Sequence, residues 1–138
     1  MMAETDTVPL PHERTYRDLD AWSHAMTLAE ETLRTTRHWR ASDQFSIGLQ
    51  LRRAAISIPS NIAEGYSRRS PAAARNHVAI ALGSHGEFET QLELARRCAL
   101  VDEATHLRLS TQCALVGKLL SGLYRSAVKS AEGSTRRS

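Results

Sequence analysis

The chain has 138 residues, of which 41% are hydrophobic, 5% are aromatic and 24% are charged, and its formal net charge is +3. This length predicts one domain with a substantial core, and the scarcity of aromatic residues predicts a core of Leu, Ile, Val and Ala, which is typical of packed helices rather than of a sheet. The mildly basic charge permits an acidic partner such as nucleic acid without requiring one.

The two cysteines, Cys98 and Cys113, and the polar first residues argue against several classes of protein. Two thiols without CxxC spacing provide neither a disulfide framework nor a zinc-finger pattern. The N-terminal segment lacks the apolar region of a signal peptide. The sequence contains no run of 18 apolar residues, which is the length needed to cross a membrane. The sequence therefore predicts a cytoplasmic location without a membrane partner.

The two ends of the chain are predicted to lie outside the folded domain. Residues 1–15 are polar and contain Pro9 and Pro11, which predicts a disordered N-terminal segment. Residues 130–138, SAEGSTRRS, lack apolar periodicity and predict a flexible C-terminal tail. The helical domain is thus expected to occupy residues 16–129.

The first helix is predicted over about residues 18–38. Its apolar side chains repeat at intervals of three and four, the pattern of a helix packed along one face. Residues 39–41 then form a connection, and Ser42 is the predicted N-cap of the next helix. The stripe consists of Leu19, Trp22, Met26, Ala29, Leu33 and Thr36.

The second helix is predicted over residues 43–67, and it contains Pro59. A proline inside a helix removes a hydrogen bond, so two interpretations are possible: a kink, with Ser57 or Ser60 compensating the freed carbonyl, or a break with a new cap. The apolar stripe keeps its phase across Pro59, which favours one kinked helix. Gly65 is predicted to end it as a C-cap. The stripe consists of Ile47, Leu51, Ala54, Ile58 and Ile62, with Leu49 and Ile56 on a second face.

The third helix is predicted to begin at Ser70-Pro71, a serine cap followed by proline at the first helical position. Glycine weakens a helix in water, so two glycines close together, Gly83 and Gly86, need a reason. They predict that another backbone approaches the helix closely around Ser84. The apolar stripe consists of Val78, Ala81, Leu82, His85, Phe88, Leu92, Ala95 and Ala99.

The fourth helix is predicted to begin near Asp102-Glu103, where acidic residues suit the helix dipole. A strict 4-3-4-3-4 apolar spacing then indicates a seam like that of a coiled coil, formed by Leu109, Cys113, Val116, Leu120, Leu123 and Ala127. Short connections predict antiparallel neighbours. The fold prediction is an all-α, antiparallel up-and-down four-helix bundle whose second helix is kinked at Pro59.

Two long segments, SIGLQLRRAAISIPSNIAEGYSRRS and IALGSHGEFETQLELA, together with RDLDAWSHA near the start, carry a family resemblance. The chain resembles the 23S rRNA intervening-sequence proteins over roughly residues 16–128. The resemblance implies a bacterial four-helix bundle that assembles as a cyclic homopentamer. A similar branch serves diversity-generating retroelements by binding nucleic acid and a reverse transcriptase. One departure is His85-Gly86, which replaces a pair that is usually small and apolar in the family.

Arginines are the main candidates for a binding surface, since they suit bidentate contacts to phosphate. In a ring, each arginine would be repeated by every subunit, and this would concentrate a modest charge. The alternative is structural: Arg96 and Arg97 would pair with Glu93, and Arg52 or Arg53 with Glu64 or Glu89. The predicted nucleic-acid-binding residues are Arg52, Arg53, Arg68, Arg69 and Arg75.

Other polar residues are interpreted as structural. Asn61 and Glu64 are expected to satisfy backbone groups near Pro59 or to pair with an arginine. His85 is expected to be a hydrogen-bonded core residue. The only Glu-x-x-His pair is Glu103 with His106, whereas a di-iron bundle needs two such pairs. The sequence therefore predicts no metal site and no cofactor.

One enzymatic alternative rests on Arg17 and His24, whose spacing fits the Arg-x(4–6)-His motif of HEPN ribonucleases. The motif is short and arises often by chance. The overall prediction is a non-enzymatic, ring-forming protein, pentameric by the resemblance, that binds structured RNA such as rRNA, or a ribonucleoprotein, and no small-molecule substrate. A protein-binding scaffold without nucleic-acid affinity is the main alternative.

Overall fold

A computed structural model describes residues 15–137, and these form four long helices, named α1 to α4. A 3-10 turn over Tyr16–Asp18 precedes α1, and a short helical turn over Ala41–Asp43 and a π-helical turn over Gln44–Gly48 lead into α2. The predicted disordered segment, residues 1–15, lies outside the described part except for Thr15. The helices are α1 (Asp20–Thr36), α2 (Leu49–Ser67), α3 (Pro71–Arg97) and α4 (Glu103–Arg137).

The four helices contact one another in a closed cycle, in which α1 packs on α2, α2 on α3, α3 on α4 and α4 on α1. This confirms the all-α four-helix bundle. Ser57 of α2 hydrogen bonds to Ser84 of α3, and Asn61 of α2 hydrogen bonds to His77 of α3. Along these contacts the residue numbers rise in α2 as they fall in α3. This order is expected of neighbours that run in opposite directions. The core consists of aliphatic side chains around one large aromatic residue, Phe88.

The buried face of α1 differs from the predicted stripe. The structure buries Ala21, Ala25, Leu28, Ala29, Thr32 and Thr36, whereas Met26 is 44% exposed and Leu33 is 43% exposed. Two threonines can face the core because their hydroxyls donate to carbonyls one turn back: Thr32 Oγ1 to Leu28 O at 2.7 Å, and Thr36 Oγ1 to Thr32 O at 2.9 Å. Burying a hydroxyl costs little free energy when the hydroxyl keeps a hydrogen bond in this way.

Helix α2 is continuous through Pro59, so the interpretation as a break is wrong; the kink stays a prediction. The Ser57 hydroxyl, one of two expected to compensate the proline, instead hydrogen bonds to Ser84 on α3 at 2.7 Å. Gly65 does not end the helix, which continues to Ser67. The predicted cap at Ser42 is also wrong, because the first helical turn begins at Ala41 with Arg40 before it.

The connection from α2 to α3 is the one that the sequence predicts. Ser70 Oγ accepts a hydrogen bond from the backbone N–H of Ala73 at 3.2 Å, and Pro71 occupies the first helical position. The prediction of a close backbone approach at Gly83 and Gly86 is not met within residues 15–137, since a Cβ at either position would meet nothing within 4 Å. Ser84 between them is buried.

Helix α4 extends beyond the predicted end of the domain at residue 129 and reaches Arg137. Ala127 and Ala131 are both buried, so the four-residue apolar spacing continues into the segment predicted to be a tail. Residues 130–137 are helical, and the flexibility of this segment stays a prediction. Across the described residues, no helix is both long and apolar enough to cross a membrane.

Candidate functional site

The five predicted arginines do not form one patch. Arg52 and Arg53 lie in the first two turns of α2, whereas Arg68 and Arg69 follow its last turn and Arg75 lies in the second turn of α3. At 1.5 Å per residue, the two groups are separated by about 24 Å along the α2 axis. The structure therefore places them at opposite ends of the bundle.

Arg52 has a structural contact of its own. Its Nη2 donates to the carbonyl oxygen of Gln44 at 2.9 Å, within the π-helical turn that precedes α2. The Gln44 amide in turn donates to the carbonyls of Arg37 and Trp39 at 3.0 and 2.6 Å. Arg52 thus helps to hold the connection between α1 and α2. The expected pairing of Arg52 or Arg53 with Glu64 or Glu89 is wrong.

Arg52 also lines a groove of about 520 Å³ together with Arg34 and Arg37 from the end of α1. Glu30 pairs with Arg34 at 2.8 Å, on the exposed surface, where an ion pair contributes little. Sequence reasoning missed Arg34 and Arg37. A signal existed, because a short connection from α1 to α2 brings the last turn of one helix beside the first turn of the next.

At the other end of the bundle, the Arg68 guanidinium pairs with Glu64 at 2.9 Å. Arg69 forms the turn and adopts a left-handed backbone with φ of 54°, a conformation that non-glycine residues rarely take. Neither Arg69 nor Arg75 forms an ion pair with any residue of the part that the structure describes. Arg53 is exposed and likewise has no carboxylate partner among residues 15–137.

Arg96 and Arg97 both bind Glu93, which confirms their interpretation as helix-surface ion pairs. Arg96 Nη2 lies 2.6 Å and Arg97 Nε lies 2.9 Å from Glu93 Oε2. The hydrogen bonds from Arg96 and then Arg97 lower the pKa of Glu93 to about 2. These two arginines are therefore already neutralised in part, unlike Arg53, Arg69 and Arg75.

An apolar groove of about 530 Å³ runs between α1 and α2. Ile56, which the sequence placed on the second face of α2, is 45% exposed there, beside Met26 and Leu33. Trp22 and the buried Pro59 also line the groove. The groove therefore joins side chains that the sequence assigned to the core of α1 with the off-stripe face of α2.

Arg17 and His24 do not share a helix face. Arg17 lies in the 3-10 turn, which is separated from α1 by the extended residue Leu19, and its guanidinium stacks 5.5 Å from the Trp22 ring centroid. His24 faces α4 instead, where the Gln112 amide donates to its carbonyl oxygen at 2.9 Å. The helical spacing on which the ribonuclease alternative depends is thus absent between these two residues.

A polar network crosses the α2–α3 contact. The Asn61 amide donates to the carbonyl and the hydroxyl of Ser57 at 2.9 and 3.0 Å, and Asn61 Oδ1 lies 3.0 Å from His77 Nδ1. In a helix, each backbone N–H donates to the carbonyl four residues earlier. Pro59 has no N–H, so the carbonyl left without a donor is that of residue 55 and not that of Ser57. Asn61 therefore joins two helices rather than compensating the proline, and Glu64 pairs with Arg68 on its own helix.

A second polar cluster crosses the α3–α4 contact. His85 Nε2 lies 2.8 Å from the carbonyl oxygen of Cys113 and 3.4 Å from its Sγ, and His85 Nδ1 lies 3.7 Å from Glu89 Oε1. His85 is thus a hydrogen-bonded and largely buried residue, as the sequence predicts. Burial, with a smaller contribution from the Glu89 charge, raises the pKa of the Cys113 thiol to about 12.

Comparison with known proteins relates the chain to one family. Residues 17–122 match the family model described as 23S rRNA-intervening sequence protein. A crystal structure of a protein with unknown function, from the S23 ribosomal protein family of Bacteroides thetaiotaomicron VPI-5482, is similar with a TM-score of 0.71. It is 23% identical and covers 76% of this chain and 95% of its own, a likeness that concerns the fold. None of the curated proteins matches the chain.

Proposed function

Because the chain belongs to the 23S rRNA-intervening sequence protein family, we propose that it is a non-enzymatic, cytoplasmic protein that forms a ring and binds structured RNA or a ribonucleoprotein. The observation that carries the proposal is the set of unpaired arginines. Arg53, Arg69 and Arg75 have no carboxylate partner among residues 15–137. A guanidinium without an internal partner is free to bind phosphate bidentately.

Contacts of this kind favour phosphate over base edges. Arginines on helix surfaces reach the backbone of a folded RNA, whose deep major groove hides its bases, so shape is recognised more than sequence. Binding through phosphates releases counterions and weakens steeply with salt. A single chain of net charge +3 has a modest field, and repetition around a ring would multiply it.

The apolar groove between α1 and α2 supports the ring. Met26, Leu33 and Ile56 each leave more than two fifths of their surface exposed, and exposed apolar patches of this kind often mark protein contacts. The pentamer is the assembly that the family resemblance implies. The separate contacts of Arg17 and His24 favour the non-enzymatic proposal over the ribonuclease alternative.

Replacing the unpaired arginines is expected to reduce the salt dependence of RNA binding. In fluorescence anisotropy with a structured 23S rRNA fragment, the double variant Arg53→Ala/Arg75→Ala should bind more weakly at low salt than the unsubstituted chain. The slope of log K against log salt should become shallower by about 0.7–0.9 for every phosphate that the variant no longer neutralises.

The matched control is Arg96→Ala/Arg97→Ala, which removes the same charge from residues that Glu93 already neutralises. Its slope should change less. Equal slopes for the two double variants would show that only net charge matters, and would contradict separate phosphate contacts by Arg53 and by Arg75. No binding of the unsubstituted chain at low salt would leave the protein-binding scaffold as the better explanation.

Replacing Ile56 by glutamate is expected to dissociate the ring, because it places a charge in the apolar groove. Light scattering at micromolar concentration should give about five times the 15.3 kDa of one chain for the unsubstituted protein, and one chain for Ile56→Glu. Leu107→Glu is the control, since Leu107 is exposed on α4 and does not line the groove. A monomer mass for the unsubstituted chain would refute the ring.

A further inference from the structure

Three side chains with different ligand atoms meet where α3 faces α4. His85 and Glu89 are four residues apart and project from one face of α3, and Cys113 faces them from α4. One potential ligand atom from each of the three lies within 4.8 Å of the other two. We propose that His85, Glu89 and Cys113 bind a zinc ion, which joins α3 to α4 independently of any RNA surface.

The imidazole is oriented as in a metal ligand. A carbonyl oxygen can only accept, so the 2.8 Å contact with the Cys113 carbonyl places the ring hydrogen on Nε2. Nδ1 therefore keeps its lone pair, and Glu89 Oε1 lies 3.7 Å from it. Histidines that bind metals commonly donate their other N–H to a carbonyl or carboxylate in this way.

Gly117 provides the space that the ring occupies. Gly117 lies one turn after Cys113 on α4. A Cβ at Gly117 would lie 2.6 Å from both Cε1 and Nε2 of His85, so a larger residue there would collide with the imidazole ring. A cavity of about 230 Å³ lies beside Cys113 and is lined by Glu89 and His106. It provides room for water as a fourth ligand.

The ligand set favours zinc over harder cations. Thiolate, imidazole and carboxylate are the groups that bind zinc, which in open sites takes three protein ligands and a water, whereas magnesium and calcium prefer oxygen ligands alone. Zinc would bind His85 through Nδ1, because Nε2 carries the hydrogen that is donated to the Cys113 carbonyl. Glu89, which is exposed, can move to complete the set. As the zinc–sulfur bond forms, the thiol proton passes to solvent.

Cobalt(II) is the probe for the test, because a cobalt–thiolate bond gives a charge-transfer band in the near ultraviolet. The full-length chain, reduced and stripped of metal, is expected to develop this band with one cobalt per chain and to lose it when zinc is added. Cys113→Ser should abolish the band and Cys98→Ser should retain it, since Cys98 is exposed and lies outside the cluster.

Glu89→Gln keeps the test decisive if changes at buried positions disturb folding. Glu89 is exposed, so this variant should retain the helical circular dichroism of the unsubstituted chain while its cobalt dissociation constant rises at least about tenfold. The proposal is overturned if the unsubstituted chain shows no thiolate band, if the band survives in Cys113→Ser, or if Glu89→Gln binds cobalt with unchanged affinity.

Discussion

Replacing Phe88 by alanine is expected to lower the free energy of unfolding by about 3–5 kcal/mol, because it removes a large buried side chain and leaves a cavity. Phe88 is the largest fully buried side chain of the described residues, and it lies among the aliphatic residues of the core. A small domain is stable by only about 5–15 kcal/mol, so this loss is a large fraction of the total. Urea denaturation at a fixed chain concentration measures it.

The control for Phe88→Ala is Ile80→Ala on the same helix. Ile80 is half-exposed, so its loss should change the unfolding free energy by no more than about 0.5 kcal/mol. If the two variants lost equal stability, or if Phe88→Ala lost less than about 1 kcal/mol, Phe88 would not occupy the centre of a close-packed core. The fixed concentration matters because assembly would add to the apparent stability.

The sequence predicts the buried faces of α2 and α4 well because both consist of large aliphatic residues at helical spacing. Ile58 and Ile62 keep one phase across Pro59, and both are fully buried. On α4, Leu109, Val116 and Leu120 of the predicted seam are buried as well. Where large aliphatic residues repeat at helical spacing along a stripe, the burial of that stripe follows from hydrophobicity.

The prediction for α1 fails at Met26 and Leu33, because hydrophobicity alone does not decide the orientation of this helix. Met26 and Leu33 are more apolar than Thr32, yet the structure buries Thr32 and exposes the other two. The Thr32 hydroxyl bonds to the carbonyl of Leu28, so burying it costs little. Small residues on this face let α1 approach its neighbours, and a single sequence gives no direct signal of that distance.

The candidate sites show the same limit. The pairing of Arg96 and Arg97 with Glu93 was predictable, since residues three and four apart on a helix are always neighbours. The contact from Arg52 to Gln44 was not predictable in this way, because it depends on an irregular turn. The cluster of His85 with Cys113 depends on the register of α3 against α4, which a single sequence does not give.

Replacing Gly65 by alanine is expected to destabilise the bundle by about 1–3 kcal/mol, although alanine favours helices. An added Cβ would lie 2.8 Å from the Cβ of His77 and 3.3 Å from the Ala73 carbonyl oxygen and the Ala74 Cα. None of these atoms lies at the free end of a flexible side chain, so α2 and α3 must separate. The urea midpoint should fall.

Two further variants distinguish close packing from a helix cap. If Gly65 were a left-handed cap, asparagine would be tolerated there, whereas packing against α3 predicts that Gly65→Asn is at least as harmful as Gly65→Ala. Gly83→Ala on α3 should instead raise stability by about 1 kcal/mol, since its Cβ would meet nothing within 4 Å. A gain from Gly65→Ala as well would contradict the close contact, and a loss from Gly83→Ala that depends on chain concentration would place another subunit at Gly83.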